Sequence, residues 1–547
     1  MSSSEHTQVL IVGGGYAGLS AALFLALRGV PAILVERHPD TSVQPKAFGL
    51  NQRSMELLGT VPGLTELIHR EQVMDFGKDA QIMMATSLSD PSPHVILGAE
   101  GSGTEGEEDR EFNDLDSTTS ARFGGLAQAQ GERILRNRAE DLGADLRFGT
   151  ELVTFEDEGT SVRATVRDTT TGEETTLEAA YMIAADGWRA GVRRTLGIGT
   201  RGRGDLSNMH AILFDADLSE VLKGKEAILA FIQEGDFSGV FTYSGFSGTG
   251  REGEYLFAVN YDPESELGPE DFTPERCVAD VRRAVGIPDL EVRLVSDAAY
   301  AIAHRTAERF REGRVLLAGD AAHTMPPTGG MGGNTAIQDG YDLAWRLADV
   351  VNGHAGPELL DSYDTERRPV GEHTAAQQLL EFVARVAPQA AEGLPPKVPL
   401  VWQYLGYRYH SQNIVTEADD DGSLVENPFE ATARPGSRAP YLPLEDGATS
   451  TTALFGGHTL LAGPRAQGWV SAFTEAAAAL GVPLEVHRVG SEGLRDTEGR
   501  WQELYRAGEE GAVLVRPDFY VGWRARSASG EAAKEAEAAL RTTLARN

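Results

Sequence analysis

"QVLIVGGGYAGLSAALFLALRGVPAILVE", residues 8–36, decides the fold of the first part of the chain. A short apolar run ends in three glycines, a longer apolar run follows until Arg28, Gly29 and Pro31 break it, and a second short apolar run ends at Glu36. This order predicts a buried strand, a glycine turn, a helix and a second buried strand. Gly13, Gly15 and Gly18 match G-x-G-x-x-G: the first allows a tight turn, the second lets backbone N–H groups approach a pyrophosphate, and the third lets helix and strand touch. The helix N-terminus then faces the anion, and Glu36 stands where a carboxylate accepts hydrogen bonds from an adenosine ribose. Alone, the glycine pattern fits any α/β turn. Joined to the strands, the helix and the terminal acid it indicates dinucleotide binding, without separating FAD from NAD(P).

A second glycine-rich stretch, "GDAAHTMPPTGGMGGN", covers residues 319–334. A strand from about Val315 delivers Asp320 to its C-terminal end, and "NTAIQDGYDLAWRLADVVNG" has apolar positions at helical spacing before a glycine stop. Residues 329–334 therefore fall at a helix N-terminus, which favours negative charge. "AAYMIAADGWRAGVRRTLGI", residues 179–198, has the same grammar: an apolar strand, Asp186-Gly187, then a helix start.

With 49 Lys and Arg against 82 Asp and Glu, the formal net charge of −33 repels nucleic acid and anionic membrane surfaces. The single cysteine, Cys277, excludes an intrachain disulfide, a redox pair and a cysteine-based metal cluster. "MSSSEHTQ" has neither a basic n-region nor an apolar h-region, so no export signal, no membrane span, no metal and a cytoplasmic location are expected.

Taken in order, G13-x-G15-x-x-G18 with Glu36, Asp186-Gly187, and Gly319-Asp320 resemble the single-component FAD-dependent aromatic hydroxylases, the para-hydroxybenzoate hydroxylase family. The resemblance implies that Gly13, Gly15, Tyr16, Ala17 and Gly18 hold the pyrophosphate, and that Glu36, with Arg37 beside it, holds the adenosine ribose. Lys46 stands where the family usually has an arginine near the phosphates. Gln128 corresponds to a glutamine at the ribityl-pyrophosphate, and Val153 to a strand residue beside the adenine. Asp320 would bind the ribityl chain, Pro327 would face the isoalloxazine, and N–H groups near Gly332, Gly333 and Asn334 would bind the flavin pyrimidine. Two departures stand out: Ala190 where the family often has serine, and Met331-Gly332-Gly333 where it commonly reads Q-G-M.

"RPGSRAPYLPL", "LFGGHTLLAG" and "GAVLVRPDFYVGWRA" resemble the branch that hydroxylates aromatic polyketides and carries a thioredoxin-like tail, which here has no cysteine. The expected fold class is α/β: a discontinuous Rossmann-like FAD-binding domain over 1–204, with inserted loops near 80–115, and over 301–395; an antiparallel-sheet substrate domain over 205–300; a linker over 396–425; and the thioredoxin-like domain over 426–547. The resemblance implies that NADPH or NADH transiently reduces FAD, that O2 forms a flavin C4a-hydroperoxide, and that an oxygen atom passes to a polycyclic aromatic polyketide. The expected partners are that small molecule, O2 and NAD(P)H, with the protein a monomer or homodimer. Arg53 is the candidate cation on the flavin and substrate side. His210, Tyr243 and His304 lie in the middle segment without an assigned role, and His323 reads as scaffolding. Baeyer–Villiger or ring-opening oxygenation on the same scaffold, and a non-oxygenating flavin scaffold or sensor, stay open.

Overall fold

The computed structural model describes residues 5–42, 47–72, 81–97, 114–223, 227–242, 253–262, 267–386, 392–447, 449–490 and 494–546. Its first sheet is parallel at the centre. Glu5–Val12 lies between Ala32–Glu36 and Glu174–Ala184, with Asp145–Phe148 beyond the former and Val315–Leu317 beyond the latter, all parallel. Val9–Val12, Ile33–Val35, Met182–Ala184 and Val315–Leu317 are buried, as continuous apolar runs must be when helices cover both faces. The strand order reverses at Glu5–Val12. Open α/β sheets bind ligands at such a reversal, outside the carboxyl ends of the strands.

Two helices bring the ends of the sequence motifs together. Tyr16–Leu27 follows the first glycine turn, and Met331–Val351 follows the second. They cross at Gly340, where a Cβ would come within 2.6 Å of Ala17 O and 2.8 Å of Ala21 N. The contact is backbone against backbone, and only glycine permits it.

The middle sheet runs, in order, His323–Thr324, Arg293–Ala307, Thr200–Asp215, Glu254–Tyr261, Phe237–Thr242, Ala227–Glu234, Gln81–Ala85, His94–Leu97. It is antiparallel except where Ala227–Glu234 meets Gln81–Ala85. The last two strands fall in the stretch expected as inserted loops near 80–115, and the sheet extends past 205–300 at both ends. Pro274–Val285 covers one face; Thr273 caps its start, proline occupies its first position and Gly286 closes it in the left-handed conformation. Ile212, Phe214, Phe257, Val259, Cys277 and Val281 pack between sheet and helix. The opposite face carries Met209, Ala258 and Ile302, against Phe382 of the Asp361–Val386 helix.

The tail forms a sheet ordered Glu485–Arg488, Thr459–Ala462, Ala512–Val515, Val521–Ala525. The first pair is parallel and joined through the Gln467–Leu480 helix; the remaining pairings are antiparallel. Ala532–Thr543 packs Ala536, Ala539 and Leu540 inward at helical spacing. This is the thioredoxin-like arrangement. The stretch expected as a linker is not a solvated spacer: Tyr404, Tyr407 and Tyr409 are buried between the flavin-side helices and the tail. Among the described residues no helix is long and apolar enough to cross a membrane, and no group of three or more His, Cys, Asp or Glu is placed to hold a metal.

Candidate active site

The first glycine turn separates two reasons for being glycine. Gly13 has φ +113°, and a Cβ there would sit 2.1 Å from Ala185 O; at Gly18 it would sit 1.9 Å from Gly13 O. Those two positions are dictated by the protein's own packing. At Gly15 a Cβ would meet only Glu132 Oε1, at 3.8 Å, so the protein leaves open space beside the helix start. Among the described residues no side chain caps that helix, and its first turn, from Tyr16 through Ala17 to Gly18, has no acid. Uncapped N–H groups facing a cleared space suit a pyrophosphate.

Glu36 ends the neighbouring strand. Its carboxylate accepts hydrogen bonds from Gly14 N at 2.7 Å and His38 N at 2.9 Å, one on each oxygen, which leaves lone pairs for ribose hydroxyls. Arg37 is exposed and meets His38 Nε2 at 3.3 Å. Lys46 lies outside the described residues. Gln128 accepts from Ala47 N at 3.2 Å and donates to Glu132 Oε1 at 2.6 Å, and the Phe48–Leu50 strand pairs with Gly124–Ala127 just before it. Val153 is the extra residue of a β-bulge between Leu152 and Thr154, a device that re-aims a side chain.

The second glycine turn closes on the first. Ala318 N donates to Ala184 O at 2.9 Å, so Asp320, exposed, follows directly at the carboxyl edge of the sheet. A Cβ on Gly319 would lie 3.0 Å from Ala17 Cβ and 3.2 Å from Ala336 Cβ, wedged between the two helices. A Cβ on Gly333 would lie 3.1 Å from the Tyr16 ring. The N-termini of the two helices thus meet, and among the described residues the second is also uncapped by any side chain, with Gly330 at φ +65° before it. Gly332 is half-buried at this end, and Pro327 is exposed ahead of it. The side chain of Asn334 is committed elsewhere: Oδ1 accepts from Asn51 N at 2.8 Å and Nδ2 donates to Gly49 O and Gly330 O. It ties the 49–51 strand to the helix start. Asp186 Oδ2 caps Val192 N at 2.9 Å, whereas Oδ1 is buried without a hydrogen-bond partner among the described residues; burial raises the carboxyl's pKa. This orphaned acceptor lies one residue past the strand end that Gly13 touches.

Arg53 is placed differently from its expected role. Its guanidinium is buried, donates to Glu56 Oε2 at 3.1 Å and Asp518 O at 2.6 Å, and lies over the rings of Phe519 and Tyr520. It joins the flavin-side unit to the tail. His210 is buried on the helix-covered face of the middle sheet, stacked on Phe272 and bonded to Asp297 at 2.9 Å. His304 accepts from Arg203 N through Nδ1, and burial lowers its pKa. Tyr243 lies outside the described residues. His323, buried, bonds Asp339 at 2.7 Å, as scaffolding would.

Sequence reasoning missed Asp339 and Arg367. Asp339 is fully buried and accepts from Gly319 N at 3.0 Å, from His323 and from Arg367 Nε at 2.9 Å. Burial alone would raise this carboxyl's pKa; the charges of Arg367 and His323 outweigh it and hold it below the ordinary range. The signal was available as an acid on the apolar face of a helix, which only a buried cation can explain. Together these features bring two helix N-termini to one place at the carboxyl edge of the sheet, with the carboxylates of Glu36 and Asp320 at strand ends along that edge, and the residues present fit an extended dinucleotide such as FAD.

Residues 6–378 match the family model for the FAD binding domain, and residues 432–547 match that for the aromatic-ring hydroxylase C-terminal region. The chain is 40% identical to 4-methyl-5-nitrocatechol 5-monooxygenase of a Burkholderia species, over 98% of this chain and 96% of that one. It is 39% identical to aklavinone 12-hydroxylase of Streptomyces purpurascens over the full length of both. A crystal structure of aklavinone-11 hydroxylase in ternary complex with FAD and aklavinone superposes with a TM-score of 0.90 at 39% identity, covering all of both chains.

Proposed function

The chain belongs to the FAD-binding aromatic-ring hydroxylases and is a flavoprotein monooxygenase with FAD as its cofactor; from that premise we propose that it hydroxylates a polycyclic aromatic polyketide at the expense of NAD(P)H and O2. The N–H groups of Gly15, Tyr16, Ala17 and Gly18 hold the pyrophosphate, with Gln128 beside it, Lys46 as the residue that supplies positive charge and Gly13 forming the turn. Glu36 and Arg37 hold the adenosine ribose, and Val153 borders the adenine. Asp320 binds the ribityl chain, Pro327 borders the ring system, and the N–H groups at Gly332, Gly333 and Asn334 meet the pyrimidine. The observation that carries this reading is the meeting of two uncapped helix N-termini at Tyr16 and Gly333. When bound there, FAD supplies the activation of dioxygen that amino-acid side chains cannot.

The chain's own residues supply shape and dryness. Gln378 and Phe382 lie one turn apart on the Asp361–Val386 helix. A Cβ on Gly329 would meet Gln378 Oε1 at 2.5 Å, and Phe382 packs on Met209, Ala258 and Ile302 of the middle sheet. The flavin-side turn and this sheet face therefore both touch one helix, and we place the aromatic substrate beside it, between the turn and the sheet. Met325, Met331, Tyr404 and Leu405 form an apolar wall at the helix start that keeps water out. The wall includes Met331, where the family commonly has glutamine.

A panel of polyphenols decides the matter. Aromatic-stimulated NAD(P)H oxidation with a product one oxygen atom heavier and its rings intact is the expected result. A lactone or its ring-opened acid would instead assign Baeyer–Villiger chemistry, and no stimulation by any polycyclic phenol would sink the proposal. The similarity to a nitrocatechol monooxygenase supports a second reading, a one-ring substituted catechol as substrate, so the panel includes nitrocatechols.

A further inference from the structure

The tail has no cysteine and so no thiol chemistry, yet it sends one turn deep into the flavin-side unit. Residues 516–520, Arg-Pro-Asp-Phe-Tyr, join the strands Ala512–Val515 and Val521–Ala525, with Phe519 held at φ +67°. A non-glycine residue in that region is strained and persists only where its surroundings hold it. Here they do: Pro517 O accepts from Tyr341 Oη at 2.7 Å, Asp518 O accepts from Arg53, and Phe519 O accepts from Ala439 N at 2.8 Å. Arg516 forms a two-armed ion pair with Glu366, at 2.7 and 2.6 Å.

From this turn a buried path leads to the second glycine motif. The Tyr520 ring stacks on Tyr409 at 4.0 Å, and its hydroxyl donates to Tyr407 O at 3.3 Å. Arg367 Nη1 donates to the hydroxyls of Tyr407 and Tyr409, both at 3.2 Å. The same guanidinium reaches Asp339 Oδ1 through Nε at 2.9 Å and Thr335 O, in the first turn of the flavin-side helix, at 3.4 Å. Asp339 Oδ2 then takes the N–H of Gly319, the residue before Asp320. Every side chain on this path is buried. In such surroundings a guanidinium that loses a partner shifts toward its remaining ones, and moving Arg367 moves both Asp339 and Thr335.

We propose that the cysteine-free tail positions the flavin-binding turn, with Tyr520, Tyr409, Arg367 and Asp339 acting as positioning residues that set the backbone at Gly319 and Asp320. This gives the thioredoxin-like unit a task in the oxygenase that needs no thiol. The proposal rests on the FAD placement given above.

The test uses full-length protein stripped of flavin, with FAD added back. Tyr409→Phe keeps the stacked ring and removes one hydroxyl; Asp339→Asn keeps shape and removes charge. The readouts are the FAD dissociation constant from flavin fluorescence, the near-ultraviolet and visible circular dichroism of the bound flavin, and the melting temperature of the apoprotein. Each single change is expected to weaken FAD about tenfold and alter the flavin dichroism, and the double change to be no worse than Asp339→Asn alone, because both act along one path. A dissociation constant for Tyr409→Phe within about twofold of wild type, or two effects that multiply fully, overturns the proposal. So does a Tyr409→Phe loss explained by an equal fall in apoprotein melting with unchanged dichroism. If Asp339→Asn does not fold, Tyr407→Phe replaces it under the same criteria. Failure of the wild-type apoprotein to take up FAD would count against the cofactor placement and not against the buried path.

Discussion

At the scale of single residues, Gly13 and Gly15 look alike in the sequence and differ in what requires them. Gly13 is surrounded by its own protein, with φ +113° and Ala185 O within 2.1 Å of a would-be Cβ. Gly13→Ala should therefore destabilise the apoprotein by about 3 kcal/mol or more, read as a lower denaturant midpoint. Gly15→Ala meets only Glu132 Oε1 at an ordinary contact distance, so the apoprotein should melt as wild type does while FAD affinity falls about tenfold or more. Equal destabilisation by both substitutions would show that position 15 serves packing and not a ligand. The motif thus announced a turn and a ligand, but not which glycine serves which. The place of Glu36 at a strand end was legible because the second apolar run stops there. Arg53 was not, because a cation near a predicted ligand and a cation buried under another unit have the same sequence. Its partners Glu56 and Asp518 are separated by most of the chain.

At the scale of elements, the site exists because two helices far apart in the chain cross closely enough to bring their N-termini together. Gly340 sets that distance. Gly340→Ala would push a Cβ to 2.6 Å from Ala17 O, so the helices must separate. The expected cost is about 1–3 kcal/mol in denaturant unfolding, accompanied by loss of FAD affinity although residue 340 is two turns from Gly333. Unchanged FAD binding in a destabilised Gly340→Ala protein would mean that the helix crossing does not set the cofactor site. The helices were readable from their apolar spacing and glycine ends, since those signals are local. The edge strands Gln81–Ala85 and His94–Leu97 were not. Gln81–Ala85 joins the middle sheet through Ala227–Glu234, far along the chain, and His94–Leu97 pairs only with Gln81–Ala85, so neither leaves a local periodic mark beyond a few apolar residues beside an acidic, glycine-rich stretch.

At the scale of the whole molecule, a strongly acidic chain holds its units together with buried carboxylates that must stay ionised. Composition revealed the charge but not that its interior members pair across the unit boundary, because "RPDFY" and "GGHT" read as ordinary polar turns. Asp349, on the flavin-side helix, meets His458 of the tail at 2.7 Å, with His354 and Arg28 close by. Burial pushes this carboxyl up, but the charge of His458, the hydrogen bonds from His354 and His458, and the charge of Arg28 outweigh it and hold the pKa well below the usual carboxylate range. A carboxyl depressed in the folded state stabilises above its unfolded pKa of about 3.9, and that contribution is lost as pH falls from there toward the folded value. Asp349→Asn should therefore lower stability by about 1–3 kcal/mol at neutral pH, and the gap between wild-type and variant melting should begin to narrow only as the pH falls below about 4. Glu56 and Asp518 are depressed in the same sense and lie at the same boundary, so the Asp349→Asn protein should still lose tail docking in acid. Calorimetric melts from neutral to acid pH measure both effects. A wild-type-to-variant gap that stays constant, or widens in acid, would show that the Asp349 carboxylate is not ionised in the folded protein and that the tail is held there by shape and not by charge.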